Sequence, residues 1–205
     1  MGVPYRLFYR LGFHPWEDLA EHPPFANKLA ELFEREERGY EPPYGPALDL
    51  GCGSAVWGIK LAQRGWQVTG IDLVDKALDR GRERIQEAGV EMRLVQGDVT
   101  NLRRTDVGDG FRLILDTGTF HGLDDARRRA MGREVSEVAS HDASLILDCF
   151  APRRRGPLPR GASRADVESA FPDWEITDIE VADTEPDPLA RRLQFDERFY
   201  RLRRR

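Results

Sequence analysis

From residue 47 onward, short apolar segments alternate with amphipathic segments along the chain. The apolar segments have the length of β-strands, and the segments between them show helical periodicity. This alternation is typical of a mostly parallel sheet with helices on both faces. We predict strands at ALDL (47–50), QVTGID (67–72), MRLVQGD (92–98), FRLILD (111–116), SLILDCF (144–150), WEITDIEV (174–181) and ERFYRLR (197–203).

The segments between these strands carry signals for helix ends. Glycines 65 and 89 are placed to end the first two helices, and Ser163 with Asp166 forms a capping-box pattern. The predicted helices are Ser54–Arg64 behind a Ser cap, Asp75–Ala88 behind an Asp cap, Asp124–Ser140, and a short helix from Ser163 through Phe171.

The last two predicted strands have no helical segment between them. Consecutive strands joined in this way can pair antiparallel at one edge of a sheet. Five parallel strands with a late hairpin give a seven-stranded sheet. The chain is of a length for one domain, and we predict a single domain over residues 1–205, with an α/β core from residue 45.

The first 40 residues precede the sheet and have a different pattern. Phe25, Leu29, Leu32 and Phe33 follow helical spacing with one apolar stripe. Upstream, YRLFYRLGFHPWE is rich in aromatic residues. We predict that residues 1–40 form a helical flap over the carboxyl ends of the strands, where open α/β sheets bind ligands. Additional core packing is the compatible alternative.

Composition limits the function classes. The net charge of −5 disfavours a nucleic-acid-binding protein, and the arginine clusters at 153–155 and 203–205 are explained by a solvated loop and a terminal segment. The two cysteines cannot staple a chain of 205 residues, so we predict a reduced, cytoplasmic protein. Neither a signal peptide nor a membrane-spanning run is expected.

The stretch ALDLGCGSAVWG (47–58) is the strongest local motif. A dinucleotide-binding turn requires glycine at its first, third and sixth positions. Gly51 and Gly53 match the first two, but Val56 occupies the sixth. Asp49 lies just before the turn, and a carboxylate there is unfavourable beside a pyrophosphate, which requires N–H donors. The chain also has no Tyr-x-x-x-Lys pair, so an NAD(P)-dependent oxidoreductase is the weaker alternative.

S-adenosylmethionine has the opposite requirements, because it lacks phosphate and carries a sulfonium and an ammonium. Asp72, 19 residues after Gly53, is placed to accept the ribose hydroxyls. Asp98 is placed to accept the adenine amino group, with the Val99 N–H donating to the ring. Asp116 ends the fourth strand beside the point where strand order reverses. For each acid, capping of the next turn is the structural alternative.

The segments LDLGCG, GID, QGDV and LILDTGTFH resemble, in order and spacing, the class I S-adenosylmethionine-dependent methyltransferases. The resemblance covers residues 45–205 and implies a Rossmann-like sheet of strand order 3-2-1-4-5-7-6, with the last strand antiparallel and S-adenosylhomocysteine as product. The predicted cofactor-binding residues are Trp16, Asp49, Gly51, Cys52, Gly53, Asp72, Leu73, Asp98, Val99, Asp116 and Thr117.

LGFHPWED (11–18) further resembles the N-terminal Pro-Trp-acid motif of thiopurine- and tellurite-type small-molecule methyltransferases. In that group the tryptophan lies over the cofactor, which implies the same position for Trp16. The residue before Pro15 is His14, where a small polar residue is usual.

Methyl transfer to a hydroxyl benefits from a base. His121, on the loop after the fourth strand, is the predicted general base, and Asp116 is a second predicted catalytic residue. For His121, the alternative is capping of the Asp124 helix or packing beside Phe120.

The predicted substrate-contacting residues are His14, Tyr5, Phe8 and Phe120. Asp148 and Cys149 end the fifth strand near the pocket rim. No protein metal site is predicted, although magnesium between Asp116 and a substrate hydroxyl stays open.

The favoured function is therefore methylation of a small molecule at a hydroxyl, of a sugar or a phenol. Thiol or amine methylation by the same fold is the first alternative. A modifier of nucleic acid or protein that docks through the arginine clusters is disfavoured by the net acidity. We expect a small-molecule partner, no nucleic acid, no membrane, and a monomer or homodimer.

Overall fold

The computed structural model describes residues 23–152, 159–181 and 197–205. One seven-stranded sheet forms the centre of these residues, with helices on both faces. Its regular elements, in chain order, are α1 (Pro23–Glu37), β1 (Gly45–Leu50), α2 (Val56–Arg64), β2 (Trp66–Asp72), α3 (Asp75–Ala88), β3 (Met92–Gln96), β4 (Phe111–Thr117), α4 (Asp125–Val138), β5 (Ala139–Phe150), α5 (Arg164–Ala170), β6 (Trp174–Val181) and β7 (Glu197–Arg204). Two 3₁₀ segments, Val99–Arg104 and Phe120–Gly122, follow β3 and β4.

The strand order is β3-β2-β1-β4-β5-β7-β6, as predicted. The first five strands pair in parallel, whereas β7 pairs antiparallel with both β5 and β6. The late pair of strands therefore extends one edge of the sheet. The predicted Rossmann-like fold is confirmed.

Several predicted element ends differ from the structure. The cap prediction at Ser54 is wrong: α2 begins after Ala55, whose φ of 63° is left-handed, and no side chain caps it. The Asp75 cap is also wrong, because Val74 precedes α3 and its N–H is accepted by Asp72 instead. The Ser163 capping box is confirmed.

The fifth strand is longer than its apolar run. It begins at Ala139, where α4 ends, so residues 139–143 belong to the strand although the prediction began it at Ser144. The pairing with β4 has a register irregularity in this part, between Phe111 and Leu113. A polar, exposed segment can join a strand at such an irregularity, which is why the apolar pattern missed it.

Helix α1 belongs to the hydrophobic core. Phe25, Leu29, Leu32 and Phe33 are fully buried against one face of the sheet. The ring of Phe25 lies 5.4 Å from that of Trp57 and 5.2 Å from that of Phe199. The described part of the predicted flap thus packs on a sheet face, while residues 1–22 lie outside the described residues.

No helix in the described ranges is both long enough and apolar enough to span a bilayer.

Candidate active site

The predicted acids meet at one edge of the sheet. β1 and β4 are neighbours, and from them the chain proceeds in opposite directions, to β2 and β3 on one side and to β5 on the other. Ligands of open α/β sheets bind at the carboxyl ends of strands beside such a reversal. Asp49, Asp72 and Asp116 lie at or next to the carboxyl ends of β1, β2 and β4.

The glycine turn after β1 is held tightly. The N–H groups of Gly51 and Cys52 donate to the carbonyl of Ile71 at 2.8 and 3.0 Å. Gly51 has a φ of +67°, and a Cβ there would lie 1.9 Å from Thr119 Oγ1. Only glycine therefore fits at residue 51, because both the backbone conformation and the neighbouring loop exclude a side chain.

Asp49 is buried without a hydrogen-bond partner. It is 1% exposed, and neither carboxylate oxygen is hydrogen-bonded to any described residue. Burial is the main cause that raises the pKa of Asp49, and the charge of Asp116 is the second; together they raise it to about 7. The Gly58 N–H opposes this rise, but it does not form a hydrogen bond with either carboxylate oxygen. An unpaired buried carboxylate is costly, so this position favours binding of a cation.

Asp72 is held in a fixed direction at the end of β2. Its Oδ2 accepts from the Gly53 N–H at 2.9 Å and its Oδ1 from the Val74 N–H at 2.7 Å. Burial raises its pKa, and the N–H groups of Val74 and Gly53 oppose the rise. The next residue, Leu73, is 42% exposed, an unusual position for a large apolar side chain.

Asp98 is paired in this structure. Its carboxylate accepts from the Thr100 N–H at 2.9 Å, from Thr100 Oγ1 at 2.7 Å, and from Arg127 Nη2 at 2.9 Å. Burial raises the pKa of Asp98, but the contacts with Thr100 and Arg127 outweigh it and the net shift is downward. The predicted acceptor for adenine is thus already bonded to a guanidinium, and Val99 beside it is buried.

Asp116 shapes the loop after β4. Its Oδ1 accepts from the N–H groups of Gly118 and Thr119, and its Oδ2 accepts from that of Phe120. Burial raises its pKa to about 6, against these three N–H groups. The carboxylate is engaged by backbone, and this geometry gives the predicted catalytic role no support. Among the described residues, no three His, Cys, Asp or Glu side chains are placed to hold a metal.

Phe120 is fully buried, with its ring 5.6 Å from that of Phe171 in the core. The loop turns this side chain inward, so the described geometry gives its predicted substrate contact no support. Several predicted residues lie outside the described residues: the substrate candidates His14, Tyr5 and Phe8, the cofactor candidate Trp16, and the arginine cluster at 153–155.

Two predicted cofactor residues are half-buried: Thr117 at the end of β4 and Cys52 in the glycine turn.

His121 is buried beside the end of β5. Its Nδ1 accepts from the Phe150 N–H at 3.2 Å, and its ring stacks on the Phe150 ring at 4.6 Å. With Nδ1 an acceptor, the neutral ring carries its proton on Nε2. A role as proton acceptor would require loss of the Phe150 hydrogen bond.

Arg128 fixes the loop that carries His121, and sequence reasoning missed it. The guanidinium is buried and donates to the carbonyls of Phe120 at 3.2 Å, His121 at 3.0 Å and Gly161 at 2.5 Å. It also lies 5.0 Å from the centre of the Phe120 ring. Its neighbours Arg127 and Arg129 are exposed, so nothing in this arginine-rich helix marked the one that points inward.

Replacing Arg128 by lysine should destabilise the protein by about 2–3 kcal/mol, because a single ammonium cannot serve three buried carbonyls in the same geometry. Thermal unfolding followed by circular dichroism measures this loss. Arg129→Lys, on the exposed side of α4, is the matched control and should change stability by less than about 0.5 kcal/mol. Equal melting temperatures for the two variants would contradict the role given to Arg128.

Comparison with known proteins agrees with this geometry. Residues 47–142 match a family model described as a methyltransferase domain. Over 175 residues the chain is 28% identical to the 2-heptyl-1-hydroxyquinolin-4(1H)-one methyltransferase of Mycobacteroides abscessus, which covers 81% of this chain and 74% of that protein. The matched domain and this relative support a class I S-adenosylmethionine-dependent methyltransferase.

Solved structures share the fold of this methyltransferase. The N-methyltransferase NodS of Bradyrhizobium japonicum, in complex with S-adenosylhomocysteine, superposes with a TM-score of 0.71 at 16% identity, over 89% of this chain and 88% of that one. TehB of Haemophilus influenzae superposes with a TM-score of 0.61 at 15% identity, over 78% and 57%.

Proposed function

We propose that this methyltransferase methylates a hydroxyl carried by a small aromatic or heteroaromatic molecule. The observation that carries the cofactor part is the pair of unpartnered oxygens on buried Asp49. The acceptor part is supported by the Mycobacteroides abscessus relative, whose named substrate bears a hydroxyl on a quinolone ring. Between the predicted sugar and phenol acceptors, this relative favours the aromatic one.

The residues around Asp49 fit S-adenosylmethionine. Its ammonium or sulfonium would compensate the buried carboxylate, and Asp72 is oriented by two N–H groups to receive the ribose hydroxyls. The exposed side chain of Leu73 offers an apolar surface to the adenine. Gly51 and Gly53 have no side chains, which lets a ligand approach the backbone of the turn. When bound, the cofactor supplies a methyl group on a positively charged sulfur.

The roles of Asp98, Val99 and Trp16 stay predictions. Asp98 can reach the adenine amino group only with a free lone pair beside the Arg127 contact. His121, with its proton on Nε2, is suited to donate a hydrogen bond to the acceptor and to orient it. This replaces the proposed base role with a positioning role, supported by the Phe150 N–H that occupies Nδ1.

The affinity for S-adenosylmethionine should fall as pH decreases below about 7. The cation binds ionised Asp49, but in the free protein the pKa of this carboxyl is about 7, so at lower pH a proton must leave before the cation binds. The dissociation constant should rise about tenfold per pH unit below pH 6. Fluorescence or calorimetric titrations between pH 5.5 and 7.5 measure it, and a constant affinity over this range would contradict the proposal.

The proposed reaction is tested by incubating the protein with S-adenosylmethionine and a panel of acceptors. The panel contains 2-heptyl-1-hydroxyquinolin-4(1H)-one, a simple phenol, a thiophenol and an aniline. Mass spectrometry should show methylation of a hydroxyl-bearing compound. Preferential methylation of the aniline would favour the second candidate, N-methylation, to which the structural likeness to the N-methyltransferase NodS points. Failure to bind the cofactor would overturn the proposal as a whole.

A further inference from the structure

A second buried acid lies at the carboxyl edge of the sheet, outside the cofactor site. Asp148 on β5 is 3% exposed, and its Oδ1 has no hydrogen-bond partner among the described residues. A buried acceptor without a partner is as costly here as at Asp49. It is therefore a position where the donor group of a ligand can bind.

The register of the sheet places Glu197 beside Asp148. Since β7 runs antiparallel to β5, its first residue lies at the carboxyl end of β5: Phe150 faces Glu197, and Asp148 faces Phe199. Residues directly opposite one another point to the same face, so the two acids are diagonal neighbours on one face. Thr117 of β4, the parallel partner of Asp148, shares that face.

Within the described ranges, no cation lowers the pKa of either acid. Burial, then the charges of Glu197 and Asp116, raises the pKa of Asp148 well above its usual value. Burial raises the pKa of Glu197 to about 7. Arg198, between Glu197 and Phe199 on β7, interacts with Tyr200 and so belongs to the opposite face. Two buried neighbouring carboxyls resist ionising together, so when one of them is protonated the other can be the carboxylate that accepts a proton.

The pair lies on the acceptor side of the strand-order reversal. Asp49, Asp72 and Asp98, which are assigned to the cofactor, are on or after β1, β2 and β3, and the predicted cofactor residues Asp116 and Thr117 are on β4. Asp148 and Glu197 are on β5 and β7, beyond β4. Methyl transfer requires the acceptor opposite the sulfur, in line with the methyl carbon. An acceptor over β4 and β5, on the side of Thr117 and Asp148, would lie across the strand-order reversal from Asp72 and Asp98.

We propose that Asp148 is the general base of this methyltransferase and that Glu197 adjusts how readily Asp148 accepts a proton. This inference rests on the proposed function. The acceptor oxygen forms a bond to the methyl carbon as the carbon–sulfur bond breaks, and that electron pair stays on sulfur. The acceptor proton moves to Asp148 Oδ1. A sulfonium and a carboxylate thus become a thioether and a carboxylic acid, a loss of charge that a buried site favours.

The test is Asp148→Asn, assayed for turnover of the hydroxylated acceptor that the wild-type protein methylates best. The variant should lose at least about 100-fold in kcat, with its affinity for S-adenosylhomocysteine within about twofold of wild type, because Asp148 is not assigned to the cofactor site. Asp142→Asn, an exposed acid on the same strand, is the matched control and should keep full activity. His121→Gln should lose less than Asp148→Asn does.

Glu197→Gln provides a second readout that a purely structural role would not move. Removing the neighbouring acid lowers the pKa of Asp148, so the acidic limb of the kcat–pH profile should move to lower pH. A profile of Glu197→Gln that coincides with that of the wild type would overturn the tuning role. Turnover by Asp148→Asn at the wild-type rate, or a rise only in KM, would overturn the base assignment while leaving the methyltransferase function intact.

The wild-type protein could bind the cofactor and still methylate none of the panel. In that case, infrared difference spectroscopy of the complex with S-adenosylhomocysteine tests the inference by measuring the protonation of the carboxyl groups. Loss of a protonated-carboxyl band between about pH 6 and about pH 8, in a step that Asp148→Asn removes or shifts, supports the inference. A band that persists above about pH 8, or a pH dependence that Asp148→Asn leaves unchanged, overturns it. Failure of the cofactor to bind would instead refute the proposed function, a distinct result.

Discussion

Asp49→Asn is expected to weaken binding of S-adenosylmethionine at least about 100-fold while making the cofactor-free protein more stable. Both effects follow from one observation, that Asp49 is buried and its oxygens lack a partner among the described residues. The carboxylate destabilises the folded protein until a cation compensates it. An amide of the same shape carries no charge, so it removes both the cost and the attraction.

The size of the stability gain depends on pH. The pKa of Asp49 is raised in the folded state to about 7 from 3.8, so the folded protein holds a proton that the unfolded chain has lost. The stability of the wild-type protein therefore decreases as pH rises from about 4 to about 7. The gain in Asp49→Asn should be largest above pH 7, up to about 4 kcal/mol, and small near pH 4.

Thermal unfolding of both proteins at pH 5 and pH 8, without cofactor, measures this gain, and calorimetry at pH 7.5 measures the loss of binding. A rise in Tm of several degrees at pH 8 is expected. Asp142→Asn, an exposed acid on β5, is the control and should change neither quantity. A less stable Asp49→Asn variant that binds the cofactor normally would contradict the account.

Gly51→Ala should abolish cofactor binding and destabilise the protein. The new Cβ would lie 1.9 Å from Thr119 Oγ1, and the φ of +67° is one that alanine rarely adopts. The backbone conformation alone costs about 1–2 kcal/mol. Relief of the clash must displace either the turn at residues 51–53 or the loop at Thr119, and both form the carboxyl edge of the sheet.

Gly89→Ala is the matched control. Gly89 has a similar φ of +65°, but a Cβ there would have nothing within 4 Å, so this variant isolates the backbone cost. The difference in unfolding free energy between the two variants measures the clash. Adding Thr119→Ala to Gly51→Ala removes Oγ1 and should recover part of that difference. If Gly51→Ala and Gly89→Ala lose equal stability and both bind cofactor, the close approach of Thr119 is wrong.

The hydrophobic pattern was sufficient for the sheet because the central strands β4 and β5 contain apolar runs and β6 alternates between buried and exposed residues. It was insufficient where a strand continues through polar residues, as at Ala139–Ser144 of β5. Caps were predicted where a suitable side chain preceded a helix, but at Val74 the N–H is satisfied by Asp72 of the preceding strand. Such contacts depend on the turn conformation, which residue type alone does not determine.

The candidate site was likewise predictable only in part from the sequence. The spacing of Asp49 and Asp72 from the glycines placed them correctly, because the turn and β2 are local to one β-α-β unit. The partner of His121 is a backbone N–H at Phe150, 29 residues away, and its position depends on the register of β4 and β5. The pairing of Asp148 with Glu197 depends likewise on the register of β5 and β7.

The central claim is that Asp49 is the counter-ion of the bound cofactor, and proton-linked calorimetry tests it most directly. S-adenosylmethionine is titrated into the wild-type protein at pH 6.0 in two buffers of different ionisation enthalpy, where an α-amino group such as that of the cofactor is protonated. With the pKa of Asp49 at about 7, binding should release about 0.9 proton. Binding heats that are the same in both buffers, showing no proton release, would contradict the claim.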